Sequence, residues 1–167
     1  MDISRTNSLV ELFFDRLEKT DKKKPFLTWL KNKDYQFSWG EVSEKIFKLS
    51  NKIRSLIQEG DRCILLSENR PEWLISDIAI MNAGGISVPI FTTYSASDYE
   101  YILNDCKPSL IFVSNQVQFD KIKKFINSDV KKIISFEKID TESLLMSEIF
   151  IDNIDKKIIN KNLKRNM

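Results

Sequence analysis

The chain has 167 residues, of which 42% are hydrophobic and 30% are charged, and its formal net charge is +2. This composition is typical of one globular domain with a real core, and the small net charge argues against nucleic acid as a partner. No apolar stretch reaches the length of a membrane span and the first residues lack the flanks of a signal peptide, so we expect no transmembrane segment and a cytoplasmic protein.

The chain begins with a predicted helix and a predicted β-hairpin. Ser8 and Glu11 have the spacing of a capping box, and an apolar stripe follows them, so residues 8–19 predict a helix. Three lysines and a proline end this pattern. Two short apolar and aromatic runs then flank a polar stretch, which predicts a hairpin with strands at 26–30 and 35–37.

The second predicted helix has the most regular apolar face of the chain. Ser38 and Glu41 repeat the capping-box pattern, and residues 39–58 predict a helix that Gly60 ends. Its apolar residues recur every three or four positions, which indicates one buried face. The positions expected to be buried are Val42, Ile46, Leu49 and Ile53, and those expected to be exposed are Lys45, Lys48 and Lys52.

A strand, a helix and a second strand follow in close succession. The apolar run at 62–67 predicts a buried strand, and Asn69 stands where a helix N-cap would accept amide hydrogen bonds. The helix predicted over 71–83 is apolar nearly all round, which is typical of a helix sandwiched between layers. The strand at 86–91 completes a βαβ unit, so we expect the two strands to be parallel.

The next elements repeat this alternation of helices and strands. Ser97 and Glu100 predict the start of a helix over 97–106, and Ser114 predicts the cap of a helix over 115–127. Further strands are predicted at 109–113 and 132–136. The sequence therefore predicts an α/β fold: a parallel sheet built from βαβ units with helices on both faces, preceded by an N-terminal helix and a β-hairpin.

The last part of the chain has no comparable pattern. After Glu137 the sequence is rich in Asn, Lys, Ile and Asp and contains neither glycine nor proline. Residues 141–150 predict a short helix, and 152–167 predict loose structure. We therefore divide the chain into a structured part, 1–137, and a poorly structured or truncated continuation, 138–167.

Three segments of the sequence resemble a known family. They are GDRCILLSENRPEW, AIMNAGGISVPIFTTYS and YILNDC, and the resemblance runs from about Ser8 to Phe136. It is to the amino-terminal part of the AMP-forming acyl-CoA synthetases, which are adenylate-forming enzymes. Asn-Arg-Pro-Glu-Trp and the Thr-Thr-Tyr-Ser turn make the chain most similar to the long-chain fatty-acid branch.

The resemblance implies a ligase that joins a fatty acid to AMP, releases pyrophosphate and transfers the acyl group to CoA. It implies ATP, Mg²⁺ and CoA as cofactors, and it leaves open a homodimer and a peripheral contact with the inner membrane. The family's phosphate loop, its adenine- and ribose-binding segments and its catalytic lysine have no counterpart in this sequence. We therefore expect no catalytic, cofactor-binding or metal-binding residue in this chain, and no activity from the chain alone.

The residue types support the same expectation. Phosphate binding usually uses glycine-rich backbone amides with Ser, Thr or Lys, and the four glycines of this sequence do not form such a loop. Histidine, a common general base and metal ligand, is absent. The carboxylates show no metal-ligand spacing, and the lysine cluster at 121–124 is expected to be a solvated face.

Two loops are candidates for a substrate edge, because ligands bind at the carboxyl ends of parallel strands. One loop follows each strand of the βαβ unit, and the candidate residues are Asn69, Arg70, Thr92, Thr93 and Tyr94. The favoured alternative for the first loop is structural: a helix cap and a surface ion pair between Arg70 and Glu72.

Two functions remain open from the sequence. The first is the amino-terminal portion of an acyl-CoA synthetase, with fatty acid, ATP and CoA as substrates of the full-length enzyme. The alternative is a complete small non-catalytic α/β protein that acts as a partner-binding module. A reading frame that continues past Met167 into a Ser/Gly/Thr loop with Pro-Lys-Gly favours the first, which the resemblance makes the preferred hypothesis.

Overall fold

The computed structural model of the chain describes residues 8–30 and 32–151, the side chains of 32–34 excepted. Within these ranges the chain forms six α-helices, seven β-strands and, after the fifth α-helix, a short 3-10 helix, Lys123–Phe125. The helices are α1 (Leu9–Glu18), α2 (Trp39–Arg54), α3 (Pro71–Asn82), α4 (Ala96–Cys106), α5 (Gln116–Ile122) and α6 (Met146–Ile151). The strands are β1 (Pro25–Trp29), β2 (Asn32–Ser38), β3 (Arg62–Leu66), β4 (Ile86–Ile90), β5 (Leu110–Val113), β6 (Lys132–Ser135) and β7 (Leu144–Leu145). Over the described ranges, no helix is both long enough and apolar enough to cross a bilayer.

A parallel sheet of five strands, in the order β4-β3-β5-β6-β7, lies at the centre of the fold. Arg62 of β3 lies opposite Ile86 of β4, and their last residues, Leu66 and Ile90, are also paired, so the predicted βαβ unit is confirmed. β1 and β2 form the predicted antiparallel hairpin as a separate two-stranded sheet.

Alternating side chains of the sheet enter two separate cores. Cys63 and Leu65 belong to the core that also contains residues of α1, α2, α3 and α6. Ile64 and Leu66 belong to the core formed with α4 and α5. Because successive side chains of a strand point to opposite faces, a strand that is apolar throughout requires a helix layer on each side. The prediction of helices on both faces is therefore confirmed.

The apolar face of α2 is buried as predicted, but its lysines are not exposed. The four predicted core residues, Val42, Ile46, Leu49 and Ile53, are fully buried. Lys45, Lys48 and Lys52 are only half-exposed, so that part of the prediction is wrong. For Lys45 and Lys48 the reason is α6, which packs beside α2: Lys45 Nζ lies 4.3 Å from the centroid of the Phe150 ring, and Lys48 Nζ donates to the carbonyl oxygen of Phe150 at 2.7 Å.

The N-caps of α4 and α5 differ from the predicted ones. Ser95, not Ser97, caps α4, and it forms a full capping box with Asp98. Asn115, not Ser114, caps α5, and its side chain accepts a hydrogen bond from the third amide of the turn. Several Ser and Asn residues with suitable side chains are adjacent here, and the position where the chain leaves each strand selects among them. α5 is also shorter than predicted, because its last turn tightens into the 3-10 helix.

Two glycines connect the ends of α2 and α3. α2 ends at Arg54, earlier than predicted, and Gly60 lies in the following loop with φ +83°. The amide of Gly60 donates to the carbonyl of Gly84 at 2.8 Å, and Gly84 itself has φ +89° after α3. The amide of Gly85 then donates to the carbonyl of Ile80, five residues earlier, at 3.0 Å, which is the 6→1 hydrogen bond of a Schellman motif. Glycine ends α3 as predicted, but Gly60 does not end α2.

The described part of the segment after residue 137 contains regular structure. The short helix predicted over 141–150 is instead β7 followed by α6. β7 pairs with β6 in parallel, and α6 buries Met146 and Ile149 in the core that it shares with α2. Residues 152–167, for which we expect loose structure, lie outside the described residues, and the division at residue 137 stays a prediction.

Candidate functional site at the carboxyl edge of the sheet

The carboxyl ends of the five parallel strands form one edge of the sheet. α3 leads the chain from β3 to β4 on one side, and α4 leads it back past β3 to β5 on the other. The strand order therefore reverses between β3 and β5, and open α/β sheets bind ligands in the crevice at such a point. Of the two candidate loops, the one after β3 borders this crevice, whereas the one after β4 lies at the margin of the sheet.

A chain of hydrogen bonds through α5 joins the two candidate loops. Gln118 Nε2 donates to Glu68 Oε1 at 2.6 Å, which links α5 to the loop after β3. Lys121 Nζ donates to Gln118 Oε1 at 2.9 Å and to the backbone carbonyl of Thr92 at 2.7 Å, which links α5 to the loop after β4. These three side chains therefore hold the two loops in one arrangement at the carboxyl edge.

Glu68 and Gln118 are not among the predicted site residues, and Lys121 is predicted on a solvated face. Gln118 is buried and Lys121 is half-buried, so the solvated face is wrong for that lysine. Burial raises the pKa of Glu68, but hydrogen bonds, including the one from Gln118, outweigh it and hold the pKa below its ordinary value. The carboxyl edge therefore carries a carboxylate at neutral pH. The one sequence feature that could have indicated this group is the spacing of three residues between Asn115, Gln118 and Lys121, which places them on one face of a helix.

Arg70 forms an ion pair that is buried rather than at the surface. Its Nε donates to Glu72 Oε2 at 2.9 Å, and a second nitrogen donates to Glu137 Oε1 at 2.7 Å. The side chains of Arg70 and Glu72 are 8% and 9% exposed, so the predicted surface pair is wrong in its location. Arg70 also occupies the N-cap position of α3 without a side-chain hydrogen bond, whereas the predicted cap, Asn69, is exposed.

The buried ion pair attaches the hairpin to the carboxyl edge. The Arg70 guanidinium carbon lies 5.0 Å from the ring centroid of Trp29 and 5.6 Å from that of Phe136. Tyr35 of β2 donates its hydroxyl to Glu72 Oε1 at 2.7 Å, and burial, followed by this hydrogen bond, raises the pKa of Tyr35. Burial alone would lower the pKa of Arg70, but its carboxylate partners outweigh it and raise that pKa. Arg70 is thus placed to fix the loop after β3 and to hold the hairpin beside it.

The loop after β4 exposes most of its side chains. Thr93 is exposed and Tyr94 is 38% exposed, while Thr92 is half-buried. The Tyr94 ring lies edge-on to Phe91 with 5.3 Å between centroids, and Tyr99 donates its hydroxyl to the Phe91 carbonyl at 2.9 Å. In the part of the chain that the structure describes, no hydrogen bond or ion pair joins the three candidates of this loop directly to Asn69 or Arg70.

The glycines of the described residues do not form a cradle for a triphosphate. The backbone amide of each glycine already donates to a carbonyl: Gly40 to Lys22, Gly60 to Gly84, Gly84 to Met81 and Gly85 to Ile80. A phosphate cradle needs such amides free to point at the ligand. Over residues 8–30 and 32–151, no cluster of three or more His, Cys, Asp or Glu side chains could hold a metal ion.

Comparison with known proteins assigns the chain to a family. The sequence model of the family described as "AMP-binding enzyme" matches residues 13–161. The chain belongs to this family. Fatty acyl-CoA synthetase A of Dictyostelium discoideum is 29% identical over 73% of this chain, and long chain acyl-CoA synthetase 4 of Arabidopsis thaliana is 30% identical over 68%. The matches cover 18% and 17% of the length of these two relatives, so the chain spans a small part of them.

Two solved structures share the fold of the chain. A luciferase-like enzyme from the mealworm Zophobas morio matches with a TM-score of 0.76 and 22% identity, over 90% of this chain and 35% of that protein. The anthranilate CoA ligase AuaEII, solved with anthranoyl-AMP, matches with a TM-score of 0.67 and 23% identity, over 83% of this chain and 26% of that protein. At sequence identities of 22% and 23%, these two matches establish a shared fold and nothing further.

Proposed function

We propose that this chain is the amino-terminal part of an AMP-forming acyl-CoA synthetase that acts on long-chain fatty acids. The match of the AMP-binding enzyme family over residues 13–161 carries the proposal, and the names of the long-chain relatives support the substrate class. The whole protein would join a fatty acid to AMP with release of pyrophosphate and pass the acyl group to CoA. ATP, Mg²⁺ and CoA would be bound mainly by groups outside this chain.

In this proposal the carboxyl edge of the sheet forms one wall of the substrate crevice. Glu68 and Asn69 lie beside the point where the strand order reverses, and Thr93 and Tyr94 extend the same edge over β4. The hydrogen bonds of Lys121 and Gln118 hold the two loops together. This wall presents polar side chains and one carboxylate, and the rest of the enzyme would complete the site.

The chain alone is proposed to neither adenylate fatty acids nor bind ATP tightly. Its glycine amides are engaged in backbone hydrogen bonds, so a triphosphate would meet mainly surface lysines. Exposed ion pairs contribute at most about 1 kcal/mol each, whereas micromolar affinity corresponds to about 8 kcal/mol. A few such contacts do not reach that affinity.

A comparison of two proteins tests the proposal. The 167-residue chain and the product of the whole reading frame of its gene are each assayed for pyrophosphate release with palmitate, ATP, Mg²⁺ and CoA, and each is titrated with ATP in a calorimeter. We expect turnover and micromolar ATP binding from the longer protein only. Sustained turnover by the 167-residue chain would contradict its inactivity, and a longer protein without fatty-acid-dependent turnover would contradict the synthetase assignment.

The same preparations test the remaining proposals. A reading frame that stops at Met167 would favour the partner-binding alternative. Cell fractionation distinguishes a cytoplasmic protein from one bound peripherally to the inner membrane, and gel filtration detects a homodimer.

A further inference from the structure

A cavity of about 310 Å³ lies on the face of the sheet that α2 and α6 cover. Ligand pockets in proteins start at about 300 Å³ and are lined mainly by apolar and aromatic groups with a few polar ones. The apolar and aromatic part of this lining comes from the hairpin, α3, the residue after β6 and α6, and it includes Tyr35, Phe37, Ile75, Phe136, Met146 and Phe150. The cavity therefore reaches the lower end of the size range of small-molecule sites and has a mainly apolar lining.

Lys45 places a cation without a carboxylate partner in this cavity. Its Nζ lies 5.0 Å from the ring centroid of Phe37 and 4.3 Å from that of Phe150. Among the described residues, Lys45 forms no ion pair, because the carboxylates near it are engaged elsewhere. Glu44 pairs with Lys48 at 2.8 Å, and Glu41 accepts hydrogen bonds from Ser38 in the capping box of α2.

The surroundings of Lys45 favour the arrival of a negative charge. Burial is the largest cause and lowers the pKa of Lys45, while Glu41 and Glu44 oppose this and Lys48 adds a smaller lowering. An anion at the ammonium would replace the water that burial has removed. Glu72 also lines the cavity, but it already accepts from Arg70 and Tyr35, so its charge is paired and it does not form an ion pair with Lys45.

We propose that this cavity binds a compact monocarboxylate, with the carboxylate at Lys45 Nζ and the apolar body against Phe37, Phe150 and Met146. At roughly 30 Å³ for each non-hydrogen atom, by analogy with water, the cavity holds about ten such atoms. A medium-chain fatty acid such as octanoate has this size. The inference does not rest on the proposed function, because it concerns binding by this chain alone.

The test is a titration of the 167-residue chain with three ligands of matched length, followed by NMR of the methionine methyl groups. Octanoate is expected to bind with a millimolar or tighter Kd and to shift the Met146 methyl signal. Octan-1-ol, which lacks the charge, should bind at least about tenfold more weakly, equivalent to about 1.4 kcal/mol. Octylammonium should not shift the Met146 signal, because its charge repels that of Lys45.

Two variants check the role of the lysine. Lys45→Met keeps the apolar stem and removes the charge, and it should weaken octanoate binding at least about tenfold. Lys52→Met, on the same helix but outside the cavity lining, is the matched control and should bind as the unmodified chain does. Equal affinity for octanoate and octanol, an unmoved Met146 signal, or full octanoate affinity in Lys45→Met would overturn the proposal. The ligand comparison on the unmodified chain decides the question even when Lys45→Met does not fold.

Discussion

Replacement of Arg70 by methionine should be among the most destabilising substitutions in the chain. Methionine fills part of the same space between Trp29 and Phe136 but removes the guanidinium and its hydrogen bonds to Glu72 and Glu137. Glu137 is 53% exposed and returns to water, whereas Glu72 stays buried with Tyr35 as its remaining side-chain donor. The cost therefore comes mainly from one buried carboxylate that has lost its cation.

The magnitude follows from that burial. Removal of one partner of a buried ion pair typically costs about 3–5 kcal/mol, because the other charge is left uncompensated. The free energy of unfolding of a whole domain is about 5–15 kcal/mol, so Arg70→Met would remove about a fifth of it or more. Removal of both charges leaves no buried ion, and Arg70→Met/Glu72→Met should therefore be less destabilised than Arg70→Met alone.

Urea unfolding followed by circular dichroism measures these differences at constant m-value. The matched control is Lys123→Met, because Lys123 and Asp120 form an ion pair at 2.7 Å whose side chains are 56% and 46% exposed. This exposed pair should contribute at most about 1 kcal/mol. Equal urea midpoints for Arg70→Met and Lys123→Met, or a double variant less stable than the single one, would refute the reasoning.

Four further predictions concern stability. Ser38→Ala should lower the free energy of unfolding by about 1 kcal/mol, because it removes the capping box of α2. Asn69→Ala should lower it by less than about 0.5 kcal/mol, because Asn69 does not cap α3. Thermal unfolding compares the two variants. Gly84→Ala should destabilise the chain by about 1 kcal/mol or more at its φ of +89°, and an unchanged urea midpoint would contradict this. Burial raises the pKa of Cys63 from 9.0 to about 12. As the pH rises, the thiol therefore loses its proton in the unfolded chain before it does so in the folded one. The free energy of unfolding should fall above about pH 9, by up to about 1.4 kcal/mol per pH unit. Urea unfolding between pH 8 and pH 10.5 measures this fall, which should be shallower in Cys63→Ala. Val42→Asp should abolish soluble expression while Val42→Ala should not, because only the aspartate places an unpaired charge at a fully buried position; a soluble, folded Val42→Asp would show that the packing of α2 is misassigned.

Local patterns in the sequence predicted the layers and the direction of the sheet. The spacing of Val42, Ile46, Leu49 and Ile53 identified the buried face of α2, and all four are fully buried. The apolar runs of β3 and β5, separated by helices, predicted parallel strands covered on both faces, as the paired registers confirm. These features depend on residues within a few positions of one another, so periodicity and composition are enough to reveal them.

The candidate site depended on the tertiary structure. The sequence placed two loops at the carboxyl edge, but it did not reveal that Gln118 would bond to Glu68, fifty positions away, or that Arg70 would pair with Glu137, sixty-seven positions away. The spacing along α2 predicted that Lys48 would be in solvent, but Lys48 donates to the carbonyl of Phe150, which is a hundred and two positions away in the sequence. The local sequence around a charged residue is the same whether its side chain faces water or a distant carboxylate. Only the packing of distant elements against each other decides which charges are buried and which partners they find.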